Sequence, residues 1–234
     1  MAVPSAMTSG VSVRLQVTDA IRDGIFNLAY TPGQRLVERE LVEKYGVSRA
    51  TIREVLQTLS SEGLVTVIPQ RGATVTEPKA EDARDLYEIR AVLEGLLVGK
   101  FCERASRAQR LRLAVAVEEF AEAVEAGLPI TETLKVKDRF YDVLLDGAAS
   151  PSLGQVIEGI QVRVHLLRAT SMSSTGRAET AVMELRAVTS AVEAGDTDAA
   201  IAAYRHHIEH AGQTALRRLT EPTYAKSQPE ECAS

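Results

Sequence analysis

Two groups of cationic side chains carry the chemistry that this sequence offers. In the first, Ser48, Arg49, Thr51 and Arg53 crowd the start of VSRATIREVLQTL, with Gln57 following. Arg49, Arg53 and Gln57 are four apart and share one helical face, while Ile52, Val55, Leu56 and Leu59 form an apolar stripe on another. Ser48 is suited to N-cap that helix by accepting from its orphan amides. A short helix with a buried stripe and an arginine face can enter a DNA major groove, where arginine bonds guanine O6 and N7 in pairs. Hydroxyls and a helix amino end can hold phosphates beside it. The second group is inward-facing by its spacing. Arg90 shares a stripe with Leu86, Leu93 and Leu97, Arg163 with Val156, Ile160 and Leu167, and His207 with Ala203 and Ala211. A buried guanidinium needs an anion, because an unpaired interior charge is very costly. The residues leave two sources open: a bound anionic small molecule, or internal carboxylates such as Glu94, Glu158 or Asp138.

The elements that must position the first group are legible in order. Residues 1–11 read as a disordered lead-in. Val17, Ile21 and Ile25 repeat at four and predict a helix over 12–28. Tyr30–Gln34 holds a Pro-Gly turn, and Leu36–Tyr45 is a short helix closed by Gly46. The reading helix then begins at Ser48. Helix, glycine-bearing turn, helix is the helix-turn-helix arrangement. LVTVIP and ATVTEP flank Gln70-Arg71-Gly72 and predict a hairpin wing, with Arg71 at its tip and Gly72 permitting close backbone approach. From Lys79 no strand signal remains. Six helices are expected at about 80–104, 107–126, 131–148, 152–172, 177–194 and 197–218, forming an antiparallel bundle. Residues 221–234 read as a loose tail. The fold expected is mainly α: a winged helix-turn-helix domain over 12–78 and an all-α bundle over 79–220.

Composition narrows the function. The chain has 234 residues, 45% of them hydrophobic, enough for packed cores. Cys102 and Cys232 form no CxxC pair, so neither a disulfide framework nor a zinc signature is expected. No long apolar run or signal sequence is visible, which points to a soluble cytoplasmic protein without a membrane partner. The net charge is −5. Residues 1–78 hold eight Lys/Arg against eight Asp/Glu, and the remainder nineteen against twenty-four, so DNA contact must come from a few placed arginines. No Glu-x-x-His, HExxH, phosphate-binding loop or Ser/His/Asp constellation occurs, so an enzyme is not expected.

The stretch PGQRLVERELVEKYGVSRATIREVLQTLSSEGLVTVIPQRGATV resembles the winged helix-turn-helix of the GntR family of bacterial transcription regulators, over roughly residues 12–76. The resemblance implies that Arg39, Ser48, Arg49, Thr51, Arg53, Arg71 and Gly72 contact DNA. EDARDLYEIRAVLEGLLV and AVEAGDTDAAIAAYRHHI, at 81–98 and 191–208, resemble the FCD domain, the effector domain of the FadR branch of that family. That implies a helical bundle around a small-molecule cavity, usually in a homodimer. Many members hold a metal there. Its ligand positions fall here at Lys137, Tyr141, Leu185 and His207, and neither a lysine ammonium nor a leucine can ligate a cation. No metal or other cofactor is therefore expected. Asp138, or the His206 and His210 pair beside Glu209, would be the residues of any non-standard site. The pocket expected is lined by Arg90, Lys137, Tyr141, Arg163, Leu185 and His207, and takes an anionic, carboxylate-type effector. The function expected is a transcriptional regulator, a repressor, binding a double-stranded DNA operator as a homodimer. An architectural DNA binder with a vestigial effector domain is the alternative, and a helical-bundle enzyme a remote one.

Overall fold

A computed structural model describes residues 10–26, 29–68, 72–172 and 174–220. Among them are nine helices and three short strands in chain order: α1 (Gly10–Phe26), β1 (Arg35–Leu36), α2 (Glu38–Tyr45), α3 (Arg49–Ser61), β2 (Val65–Ile68) and β3 (Gly72–Val75), then α4 (Ala80–Arg104), α5 (Arg107–Glu125), α6 (Ile130–Ala148), α7 (Pro151–Met172), α8 (Arg177–Ala194) and α9 (Thr197–Thr220). The expected Leu28, Arg71 and 221–234 tail lie outside the described residues, as does most of the 1–11 lead-in.

Local chemistry sets most boundaries. Gly46 takes φ +67 and donates its N–H to Val42 O, ending α2, and the Ser48 side chain accepts from Thr51 N to start α3. Ser106 and Gln109 close a capping box on α5, satisfying two orphan amides at once. Two expectations are corrected. Helix α1 begins at Gly10, two residues before the predicted start. Leu36 belongs not to α2 but to β1, where it pairs antiparallel with Ala73, so the sheet has three strands in the order β1-β3-β2. Val37 is extended and takes the N-cap position of α2, while Leu36 is buried in the small core. Pairing with a strand far along the chain outweighs the helical spacing of Leu36 and Leu41.

One core cluster gathers Val17, Ile21 and Ile25 of α1 with Leu41, Ile52, Val55, Leu56 and Leu59, sealed by Leu64 and by Val65, Ala73 and Val75 of the sheet. Each such side chain contributes roughly 1.5–3 kcal/mol by leaving water. Arg22 of α1 forks onto Glu62, Nε to Oε2 at 3.0 Å and Nη2 to Oε1 at 2.7 Å, which anchors the far end of α3. A second cluster fills the bundle around Phe101, Phe120 and Phe140. Helices α4 and α9 approach closely because Gly212 leaves room for the Tyr87 ring; a Cβ there would lie 2.9 Å from Tyr87 Cγ. The two parts of the chain touch where the Phe26 ring packs on His165 of α7, with centroids 4.3 Å apart, and His165 Nε2 donates to Phe26 O at 3.3 Å. No helix among the described residues is long and apolar enough to cross a membrane.

Candidate DNA-reading helix and effector cavity

The amino end of α3 is presented to solvent as its sequence pattern predicts. Ser48 Oγ caps Thr51 N at 3.1 Å and lies 2.9 Å from Thr51 Oγ1, so the two hydroxyls sit together at the positive end of the helix dipole. Arg49 and Arg53 are both about two-thirds exposed. They share one counter-ion: Glu38, in the first turn of α2, accepts from Arg53 Nε at 3.0 Å and lies 3.8 Å from Arg49 Nε. This ties the arginines to the preceding helix without burying them. Arg39 is exposed on α2. Gly72 takes φ +93 at the start of β3, opposite Ile68. The Arg35 guanidinium of β1 lies about one van der Waals contact from where a Gly72 Cβ would be. Arg35 is a further exposed cation beside the wing. Sequence reasoning missed it because only the unexpected pairing of β1 with β3 brings it there.

Inside the bundle, the structure brings together Arg90, Lys137, Tyr141, Leu185 and His207 around a closed cavity of about 10 Å³, joined by Phe140, Arg168 and Tyr204. That is room for about one water. Arg163 is not among them, and its inward placement is corrected: it is exposed on α7, its aliphatic stem against Gly63 of the other core. The stripe that placed it inward ran through Val156, which is 53% exposed. The buried face of α7 carries Leu153, Ile157, Val164, Leu167 and Arg168, so of the predicted stripe Leu167 is buried while Val156 is not. Arg168 is therefore the inward arginine of this helix.

The charges in the cavity are arranged in pairs. Arg90 Nε donates to Glu94 Oε1 at 2.8 Å, both groups almost fully buried, and Tyr204 OH donates to Glu94 Oε2 at 3.0 Å. Arg90 Nη1 has no hydrogen-bond partner among the described residues. Arg168 Nη1 donates to Asp138 Oδ1 at 3.0 Å, and its guanidinium stacks 4.6 Å over the Tyr141 ring. Lys137 Nζ lies 3.2 Å from His207 Nε2. Burial, reinforced by the positive charges of Arg168, Arg177 and Arg90, holds the Lys137 ammonium well below its ordinary pKa. Burial and the neighbouring Lys137 likewise push His207 well below the ordinary imidazole value. His207 Nδ1 donates to Glu184 Oε2 at 2.5 Å, which leaves Nε2 to accept from Lys137. Glu184 and Arg177, neither predicted from the sequence, complete the network. Burial opposes the Glu184 carboxylate, but bonds from His207 and His210 and the charge of Arg177 bring its pKa down to about 2.

A metal at the family's positions does not fit this donor set. Leu185 offers no lone pair, and both His207 nitrogens are already engaged by Glu184 and Lys137. Arg90 and Arg168 line the same space. Asp138 is held by Arg168. On the outer side, ligand atoms of Glu184, His206 and His210 lie within 4.8 Å of one another, but Glu184 already spends both oxygens on His207 and His210.

Comparison with known proteins agrees with this architecture. Residues 13–75 match the description "Bacterial regulatory proteins, gntR family", and residues 85–210 match the FCD domain. The HTH-type transcriptional regulator YdhC of Bacillus subtilis is 30% identical over 84% of this chain and 89% of its own length. The HTH-type transcriptional repressor RspR of Escherichia coli is 23% identical over 92% of this chain and 93% of its own. The crystal structure of a GntR transcriptional regulator from Rhodococcus sp. RHA1 superposes with a TM-score of 0.77 at 25% identity, covering 88% of this chain and 98% of that one. This chain belongs to the GntR family, in the group with an FCD domain, and is a DNA-binding transcriptional regulator rather than an enzyme.

Proposed function

We propose that the chain is a repressor released by a small anionic, carboxylate-type effector in the central cavity, acting as a homodimer on an operator with two half-sites. The observation that carries this reading is Arg90 Nη1, buried with no hydrogen-bond partner among the described residues, in a cavity that Arg168 and Lys137 also line. One carboxylate would take the free guanidinium donor and favour the charged form of the lysine. The effector pocket of this proposal is Arg90, Lys137, Tyr141, Leu185 and His207, with Arg168 in place of Arg163. DNA contact is assigned to Arg39, Ser48, Arg49, Thr51, Arg53 and Gly72, with Arg71 retained from the sequence pattern alone. Repression is supported by the name of one relative, RspR. No metal or cofactor is required.

Two features support the remaining parts. On α4, Ile89, Val92 and Leu96 are 46%, 62% and 49% exposed at helical spacing, an apolar strip suited to a second copy. For the switch, Arg168 and Tyr141 line both the central cavity and a second cavity, of about 470 Å³, walled by Phe26 and His165. An effector that drew Arg168 away from Asp138 would change the field at His165, and hence its hold on Phe26 at the end of α1. Effector and operator affinities must then be linked. Fluorescence anisotropy of the full chain on DNA upstream of its own gene, with and without a carboxylate panel, tests this. Release by at least one carboxylate, lost in Arg90→Met, is expected; binding that no panel member alters would sink the effector reading. The smallness of the central cavity favours one other reading, a constitutive DNA binder with a vestigial effector domain, and the same titration separates the two.

A further inference from the structure

We propose that the open pocket between the amino end of α8 and the last turns of α9 is a second anion-binding site, separate from the central cavity, for a small molecule bearing a phosphate or carboxylate group. Its volume is about 310 Å³, the size of a small-ligand pocket, whereas the central cavity holds about 10 Å³. The pocket has room for a metabolite-sized anion.

The recognising group is Arg177. Its side chain is only 3% exposed, and Nη2 donates to Glu184 Oε2 at 2.9 Å. Nε and Nη1 are buried with no hydrogen-bond partner among the described residues, although Arg177 lines the pocket. A guanidinium cannot shed its proton at any ordinary pH, so these two donors call for an acceptor that the described residues do not supply. Ser174 Oγ, on the same wall, is buried without a partner as well. The helix adds to the field. The N-cap of α8 is Gly176, at φ +74; Arg177 N donates to Ser174 O at 3.1 Å, and no side chain caps the amides that follow. Arg217 supplies a further exposed cation on the α9 wall. The Thr180 and Thr214 hydroxyls also line the pocket but commit their protons to Gly176 O and His210 O. The donors open to a ligand are therefore the Arg177 nitrogens, Ser174 and the helix end. Glu184 is the acid facing Arg177 and leaves these nitrogens open; Glu179, in the first turn of α8, is exposed.

Isothermal titration of the full chain with inorganic phosphate and, separately, with citrate tests the site. Saturable binding of at least one probe is expected, weakened about ten- to a hundredfold in Arg177→Gln, the equivalent of losing one charge-assisted hydrogen bond. The exposed Arg217→Gln, which leaves the Arg177–Glu184 pair intact, should weaken the same isotherm. The exposed Arg112→Gln, on α5 and paired with Asp146, should leave it unchanged. Phosphate alone saturating would mark a phosphate ester as the ligand class, and citrate alone a carboxylate; both support the site. No saturable binding of either probe, affinity unchanged in Arg217→Gln, or an equal loss in Arg112→Gln would each overturn it.

Discussion

Replacing Glu94 by glutamine keeps the side chain's shape but removes the one carboxylate that Arg90 pairs with among the described residues. Arg90 is 2% and Glu94 1% exposed, with Nε to Oε1 at 2.8 Å, so water cannot take over the lost charge. Two opposite charges about 4 Å apart attract by about 4 kcal/mol at an effective dielectric of about 20. Breaking a buried pair from one side typically costs about 3–5 kcal/mol. At about 2–4 °C per kcal/mol for a chain of this size, the melting temperature should fall by roughly 6–20 °C. Urea unfolding followed by circular dichroism measures the effect directly. The double variant Arg90→Met with Glu94→Leu should be much less destabilised than Glu94→Gln, because it removes the orphan charge as well. The pH dependence has a definite sign. Burial opposes ionisation of Glu94, yet the Arg90 charge holds its pKa below the ordinary carboxylate value. The pair's stabilisation is therefore full above the unfolded carboxylate pKa of about 4.3 and is lost as pH falls through the lower folded value. The gap between native protein and Glu94→Gln should be constant from about pH 6 to 8 and shrink below about pH 4. A loss under about 1 kcal/mol, or a double variant as unstable as the single, would refute the description of this pair as buried and mutually dependent.

Arg49→Ala and Arg53→Ala should each weaken operator binding by about 1–3 kcal/mol and, where the contact is to phosphate, lower the salt slope by about one, as read by anisotropy at several salt concentrations. Ser48→Ala should cost about 1 kcal/mol of folding stability through the lost cap on Thr51 N, measured by urea unfolding. Burial and the neighbouring arginines lower the Lys137 pKa and a bound anion would raise it, so anion binding there should be linked to proton uptake and strengthen as pH falls. Titration calorimetry in buffers of different ionisation enthalpy checks this, with uptake absent in Lys137→Met. Gly212→Ala places a methyl 2.9 Å from Tyr87 Cγ and should cost about 1–3 kcal/mol as α4 and α9 are forced apart, again by urea unfolding.

The sequence by itself determined the features that are settled within a few residues. Ser48 as a cap, Gly46 in the left-handed region and the bundle helix boundaries follow from local backbone demands, and the structure places them where the spacing predicts. The exposed face of α3 follows as well, because Ile52, Val55, Leu56 and Leu59 leave its arginines only one direction. Tertiary structure alone decided what depends on partners distant along the chain. Leu36 became a strand because Ala73 was there to pair with it. On α7, two offset stripes are nearly equal in apolar content, so packing against the other helices had to choose between them. It buried Arg168 and left Arg163 outside. Arg177 sits at the start of one helix and Glu184 two turns on, and nothing in their spacing shows that His207 and His210 of α9 will close around them. Helical periodicity records which residues share a face. Which face meets the interior, and which charges then find each other in it, is fixed only when the helices pack.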